Sequence, residues 1–314
     1  LQVRALFEAP TVRGLAARLR RAAPARPPLR PAERRPDVLP PSFAQRRLWF
    51  LHRLEGPSPT YNMPVALRLS GSLDVEALQA ALLDVVTRHE ALRTVFPERD
   101  GMPYQHVLSP EDACPKLVAT PVAEDAVEEA VAAEARHEFD LAAQAPTHAR
   151  LFALGPDEHV LVVVVHHIAA DDWSMAPLAR DLAVAYAARR DGRSPDWKPL
   201  PVQYADYALW QRDLLGDPDD PDSLWAGQLS YWRQALDGLP ERIALPTDRP
   251  HPPRASFEGR TLAFAWDAEL HGGLARLARA CDASPFMVVQ AALAALFTRL
   301  GAGEDIPLGA AIAG

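Results

Sequence analysis

Two adjacent histidines at the end of a valine run are the residues of this sequence best suited to chemistry. Residues 162–174 read VVVVHHIAADDWS. Valine's branched side chain favours a buried strand. Side chains alternate along a strand, so His166 and His167 point to opposite sides, one able to face a cavity while the other is tied into the structure. An imidazole at a strand tip, where a loop opens a cleft, suits general-base work near neutral pH. Asp171, four residues after His167, can hold the loop by pairing with an arginine or by accepting backbone N–H bonds. A helix is expected to start at Ser174. The same residues also suit two satisfied core histidines beside an ordinary loop acid, and spacing alone leaves both readings open. A metal reading lacks a third suitable ligand, since His159 lies back on the strand and Asp172 stands without support. Cys114 and Cys281 are far from the pair and form no CxxC motif, so each reads as a structural thiol.

Three other segments carry polar and aromatic residues in suggestive order. In SFAQRRLWFL (42–51), Leu48, Trp49 and Leu51 supply apolar bulk, Ser42 and Gln45 open the segment, and Arg47 is a candidate for pairing near a cleft. In RHEALRTVF (88–96), Arg88, Glu90 and Arg93 read as a salt-bridge cluster at a helix end, a structural role before a catalytic one. In YADYALW (204–210), Tyr204, Asp206, Tyr207 and Trp210 have helical spacing and read as packing or lobe–lobe contacts.

The elements that must position these residues alternate between strand and helix. Alternation over 65–69 predicts a strand, ended by Ser70 and Gly71. Asp74 is placed to cap a helix to about His89, with Leu78, Leu82, Val85 and Val86 on one face. Further strands are expected over 92–96, 260–266 and 306–312, and a hairpin joins 149–154 to 159–165 around Gly155, Pro156 and Asp157. Helices are expected over 125–138, from Ser174 to about Asp191, over 206–215, 224–236 and 268–280, and from Pro285 to Leu300.

A chain of 314 residues suggests two lobes. Its 48% hydrophobic and 24% charged residues are those of a globular protein, and its net charge of −8 argues against nucleic acid as the main partner. The basic stretch from Arg18 through Arg20, Arg21, Arg26, Arg30 and Arg34 to Arg35 lies among prolines. It reads as a solvated linker, an extended semi-rigid tether at a domain boundary. No apolar run reaches membrane-spanning length and no signal-peptide layout opens the chain, so the cytoplasm is the default setting.

At the histidine pair the sequence resembles a known family. HHIAADDWS is similar to the HHxxxDG active-site signature of condensation domains of nonribosomal peptide synthetases, which have the chloramphenicol-acetyltransferase-like fold. Residues 42–51 are similar to the family's opening SxAQxRLWxL, residues 88–96 to RHExLRTxF, and residues 204–210 to YxDYAxW, all in the family's order. The resemblance covers about 39–314. It implies an α/β (α+β), two-lobed, V-shaped fold, with the N-terminal lobe at 39–220 and a C-terminal lobe at 221–314 that is incomplete. LFEAPTVRGLAARL, near the start, resembles the last helix of a peptidyl carrier protein. Residues 1–22 are thus expected to be a carrier end, with Thr11 capping a helix, and residues 23–38 a Pro/Arg-rich linker.

By the same resemblance, a donor peptidyl or aminoacyl thioester and an acceptor aminoacyl thioester meet between the lobes, and the acceptor's α-amine attacks to give an amide. His167 would orient that amine and accept its proton. His166, Asp171, Asp172, Trp173 and Ser174 would support it, Asp171 through a salt bridge to an arginine of the second lobe and Ser174 by assisting an oxyanion. Ser42, Gln45, Arg47, Arg88, Arg93, Tyr204 and Asp206 would be structural or cleft residues. No metal and no cofactor of its own are implied: substrates arrive on the phosphopantetheine of carriers, the donor carrier's serine lying upstream of Leu1. Implied partners are the covalently linked upstream carrier and the downstream acceptor carrier and adenylation domains, in a monomeric multimodular chain, with neither membrane nor nucleic acid. Module order suggests an L-configured donor. Asp172 stands where the family has glycine, a residue that tolerates positive φ. Its carboxylate would narrow the passage or hold a proton on His167. The alternatives are a silent condensation-like module that recruits partner proteins, an epimerization domain, and an acyl-CoA acetyltransferase of the same fold.

Overall fold

The computed structural model describes residues 9, 11–21, 26–240, 242–253, 259 and 262–310. The chain divides into two compact units, Leu1–Trp225 and Ala226–Gly314. In chain order the first unit contains helix α1 (Val12–Arg21), α2 (Phe43–Glu55), strand β1 (Asn62–Ser70), α3 (Val75–Arg88) and the short strands β2 (Thr94–Val95), β3 (Glu98–Arg99), β4 (Met102–Pro103) and β5 (His106–Val107). It continues through α4 (Pro110–Ala113), β6 (Ala119–Pro121), α5 (Val127–Ala135), β7 (Thr147–Ala153), β8 (Glu158–His166), α6 (Asp172–Arg190) and α7 (Tyr204–Leu215). Helix α8 (Leu224–Ala235) begins at the division, and the second unit carries α9 (Ala268–Ala280) and α10 (Pro285–Arg299).

The valine run becomes the interior of a four-stranded sheet ordered β1-β8-β7-β6. β8 pairs antiparallel with β1 and with β7, while β6 joins β7 in parallel. Both faces of β8 are covered, which is why it reads as unbroken apolar sequence where a half-buried strand would alternate. On one face Val160, Val162 and Val164 pack with Leu48 of α2, Val127 of α5, Phe139 and Ile168. On the other, Leu161 meets Leu78 and Leu82 of α3 with Leu182 and Tyr186 of α6, and Val165 meets Val85 and Leu178. Period two therefore carries His166 to the face of α2 and Phe139, in line with Val164.

Helix α3 is capped by Asp74, whose carboxylate accepts the Ala77 N–H at 2.9 Å, and it buries Ala77, Leu78, Ala81, Leu82, Val85 and Val86. It is joined to α6 by a two-pronged ion pair, Arg189 donating to Asp84 at 2.7 and 2.6 Å. In the second unit, Asp267 caps α9, and Ser284 caps α10 with Pro285 in its first turn.

Several expectations are corrected. Residues 90–93 form a 3₁₀ turn, with the Leu92 N–H on the His89 carbonyl and the Thr94 hydroxyl on that of Glu90, so the strand expected over 92–96 shrinks to Thr94–Val95. The helix expected over 125–138 ends at Ala135, because the Asn62 side-chain amide takes the carbonyls of Ala135 and His137 at 2.9 and 2.7 Å. Residues 262–266 and 306–310 form no strand; 260, 261, 311 and 312 lie outside the described residues. Thr11 does cap α1, accepting the Gly14 N–H at 3.1 Å, but 1–8, 10 and 22–25, parts of the carrier-like and linker expectations, lie outside the described residues.

The proline-rich segment over 26–41 is docked where a solvated tether is expected. Proline removes an N–H donor but leaves its carbonyl, and unpaired carbonyls attract side-chain donors. The Trp210 indole donates to the Pro27 carbonyl at 2.8 Å, and Arg212 donates twice to that of Pro41, at 3.2 and 2.9 Å. The segment's end is anchored in the core, where Leu39 is buried and exchanges backbone contact with Gln105.

Candidate active site

The two histidines are fixed by backbone first. At the end of the sheet, His166 N–H donates to the Pro146 carbonyl at 2.9 Å and His167 N–H to the Tyr61 carbonyl at 2.8 Å. The chain then turns sharply: Ile168 N–H reaches back to His166 Nδ1 at 3.1 Å, and Ala169 N–H to the His166 carbonyl at 2.9 Å. Asp171 ends the turn as the cap of α6. Its carboxylate accepts the N–H of Ser174 at 2.9 Å and its hydroxyl at 2.6 Å, while Ser174 Oγ accepts the Asp171 N–H at 3.1 Å. This capping box starts the helix at Asp172 rather than Ser174.

The rings take opposite roles, as alternation requires. His166 is 2% exposed, beside Tyr61 and Phe139. A backbone N–H can only donate, so Nδ1 holds a lone pair and the hydrogen of the neutral ring sits on Nε2. Burial, reinforced by the charges of His52 and His167, pushes this imidazole down to about 4. His166 is therefore neutral near pH 7.

His167 is exposed, and its Nδ1 lies 2.7 Å from the Ala170 carbonyl. A carbonyl can only accept, so Nδ1 carries the hydrogen and Nε2 presents its lone pair away from that contact. The ring is oriented by a backbone group three residues on and left with one basic nitrogen.

Gln45 braces the loop from α2. It is 2% exposed; its Oε1 accepts the Ser42 N–H at 2.9 Å, and its Nε2 donates to the Ile168 carbonyl at 3.5 Å. Ser42, fully buried, caps α2 and meets the Tyr204 hydroxyl at 3.0 Å. The structure thus brings Ser42, Gln45 and Tyr204 together behind the histidine loop.

Other candidates are placed elsewhere. Arg88, Glu90 and Arg93 do not pair with one another. Arg88 donates to Asp181 of α6 at 2.9 Å and lies over the Trp197 ring, Glu90 pairs with Arg35 at 2.7 Å, and Arg93 donates to the Leu108 carbonyl. Asp206 holds the proline-rich segment, accepting the Ala32 N–H at 3.2 Å and Arg35 Nε and Nη2 at 3.3 and 3.2 Å. Arg47 is exposed. The Ser174 hydroxyl donates to Asp171, which removes it as an oxyanion donor. Asp172 does not take glycine's positive φ: it is the first residue of α6, where its charge favours the positive end of the helix dipole. Trp173 beside it is 75% exposed. Among the described residues no group of three or more His, Cys, Asp or Glu could hold a metal ion, and no single helix is long and apolar enough to cross a membrane.

Sequence reasoning missed the groups that set the rings' chemistry, the Ala170 carbonyl, the Ile168 N–H and His52, and it missed Arg35 as the partner of Glu90 and Asp206. Backbone donors and acceptors carry no side-chain signal. By composition Arg35 is one of a solvated basic run.

Comparison with known proteins identifies the family. The family description "Condensation domain" matches residues 36–314. A dimodular nonribosomal peptide synthase of Bacillus subtilis (strain 168) is 57% identical over 314 residues, all of this chain and 13% of that protein. The isonitrile lipopeptide synthase of Mycobacterium tuberculosis is 54% identical over 286 residues, 90% of this chain and 11% of that protein. Among solved structures, the X-domain in a complex with OxyB from teicoplanin biosynthesis superposes with a TM-score of 0.83 at 44% identity, over 90% of this chain and 61% of that one.

Proposed function

This chain belongs to the condensation-domain family of nonribosomal peptide synthetases, and from that premise we propose that it forms an amide between two carrier-bound thioesters, with His167 receiving the proton. The observation that carries the reading is the hydrogen bond from His167 Nδ1 to the Ala170 carbonyl, which leaves Nε2 as an exposed, oriented base. The acceptor's neutral α-amine attacks the donor thioester carbonyl. As the C–N bond forms and the C–S bond breaks, the amine's surplus proton passes to Nε2 and from there to the departing phosphopantetheine thiolate. The products are an amide and a free thiol, with His167 restored. Proton transfer by a positioned base contributes about 10²–10⁴-fold, and holding two tethered reactants in line about 7–11 kcal/mol more.

His166 is neutral, so it adds no cation to oppose the proton that His167 receives. Asp171 holds the turn by capping α6, a role met within its own unit. In this reading residues 1–22 end the donor carrier, 23–38 link it, and 39–220 and 221–314 belong to the two lobes. The acceptor carrier and adenylation domain lie downstream.

A second reading, a module that recruits a partner protein and makes no bond, has support in the X-domain likeness and in Asp172. One assay separates the two. The module is supplied with both loaded carriers, and the amide product is followed by mass spectrometry. Product from the wild type, with a loss on the order of 10²-fold in His167→Ala, supports catalysis. No product from the wild type supports recruitment, and an unchanged rate in His167→Ala removes the role assigned to that ring.

A further inference from the structure

The docked proline-rich segment and the histidine loop are joined by a short chain of contacts through the start of α7 and the start of α2. Asp206, 4% exposed at the start of α7, accepts the Ala32 N–H and the Arg35 guanidinium with one oxygen and the Gln203 N–H, at 2.8 Å, with the other. Arg35 also pairs with Glu90 at 2.7 Å, and the Gln203 side chain closes the ring by accepting the Glu90 N–H at 3.2 Å and donating to the Arg88 carbonyl at 3.0 Å. Beside this ring, Tyr204 contacts Ser42, Ser42 contacts Gln45, and Gln45 donates to the Ile168 carbonyl. Ile168 supplies the N–H that fixes His166, and Ala170, two residues on, supplies the carbonyl that fixes His167.

We propose that residues 27–35 are a strap that positions the histidine loop, and that Arg35 is its positioning residue. With the strap seated, Asp206 is paired with the Arg35 guanidinium and the first turn of α7 is held in one place. Tyr204, Ser42 and Gln45 then hold the Ile168 carbonyl, which sets where the Ala170 carbonyl meets His167. With the strap displaced, a buried carboxylate loses its cation and that turn is free to shift. The segment joining this domain to what precedes it would thereby bear on the chemistry. The kinetic part of this inference rests on the amide-forming reading above; the ordering of the loop does not.

The test uses the complete synthetase with loaded carriers and compares wild type, Arg35→Ala, Arg35→Lys, Gln45→Ala and the Arg35→Ala/Gln45→Ala double variant. Two quantities are read: turnover per folded enzyme, and hydrogen–deuterium exchange of the amides at 168–171. Arg35→Ala should lower kcat about ten-fold at unchanged acceptor KM and speed exchange at Ile168 and Ala169 by a similar factor, about 1.4 kcal/mol of ordering. Arg35→Lys should recover part of both. The double variant should be little worse than Gln45→Ala alone, since coupling through shared contacts is non-additive. Should Arg35→Ala fail to fold, Trp210→Phe removes the donor to Pro27 without touching the buried carboxylate, and the same two shifts are expected in weaker form. If Ala32 exchanges faster while 168–171 do not, or if the two variants add, the strap has no positioning role. If the wild type makes no amide yet the loop loosens in Arg35→Ala, the catalytic reading falls and the strap stands.

Discussion

Acid should destabilise this protein through His166, and the size of the effect follows from the ring's surroundings. The imidazole is 2% exposed and its Nδ1 already accepts the Ile168 N–H, so a proton there would face a donor inside the core. Burial first, then the charges of His52 and His167, take the ring down to about 4 from the ordinary 6.5. The unfolded chain binds this proton near 6.5 and the folded chain near 4. Between those values the unfolded state holds more protons, so stability falls as pH falls. The contribution is complete above about 6.5 and gone by about 4, and the gap corresponds to about 3 kcal/mol. For a domain whose total stability is about 5–15 kcal/mol, that is a large share. His52 and His137 are also lowered, each by burial first, and act in the same sense. Comparison with His166→Asn, which keeps an acceptor near Nδ1 and cannot titrate, isolates the one ring. Urea denaturation of both proteins between pH 7.5 and 4 should show the wild type losing about 3 kcal/mol more than the variant. Parallel curves, or an NMR titration of the His166 Cε1 proton centred near 6.5, would refute the argument.

At lower pH a separate loss is expected from Asp181. Burial opposes its charge, but the hydrogen bonds from His89 and Arg88 outweigh that and hold the carboxyl below its ordinary range. Its contribution is present above about 3.9 and lost as pH falls further, so Asp181→Asn should flatten the acid limb of the stability curve in that window. Asp171→Ala removes the cap of α6 and should cost about 1 kcal/mol by thermal denaturation; a change below a few tenths would deny the capping role. Leu82→Ala, in the core between α3 and the sheet, should cost about 2–5 kcal/mol by the same measurement. Cys114 is pushed up to about 11 by burial, a Gln79 hydrogen bond opposing in part, whereas Cys281 is exposed. Peptide mapping after brief iodoacetamide treatment should find Cys281 modified first, and equal labelling would contradict the burial argument.

How much of this was legible in the sequence depended on which groups carry the information. The hairpin, the Asp74 cap and helix α9 were readable because they rest on side-chain periodicity and capping chemistry, which act within a few residues. The opposite facing of His166 and His167 followed from the strand's period alone. The start of α6 was misjudged by the length of a capping box: Ser174 has the right chemistry for a cap, but Asp171 takes that place and Ser174 answers it from the third helical position. Residues 92–96 have strand composition, yet the Thr94 hydroxyl's bond back to the Glu90 carbonyl and the 3₁₀ turn before it decide the backbone. The Arg88, Glu90 and Arg93 cluster failed because each found a partner far along the chain, in Asp181, Arg35 and Leu108. Such pairings leave no local trace. The tautomer of His167 depends on a backbone carbonyl that any residue at position 170 would supply, so only the turn's geometry reveals it.

The anchoring of Pro27, Ala32, Arg35 and Pro41 on the helix that begins at Tyr204 bears on how such modules are recombined. A hybrid synthetase spliced anywhere from 27 to 41 would join one parent's segment to another parent's docking groove, stranding Asp206 or Trp210 without a complement. Cutting ahead of residue 26, so that the whole stretch travels with the domain it grips, keeps donors and acceptors from the same parent. Here the joint is part of the machine downstream of it.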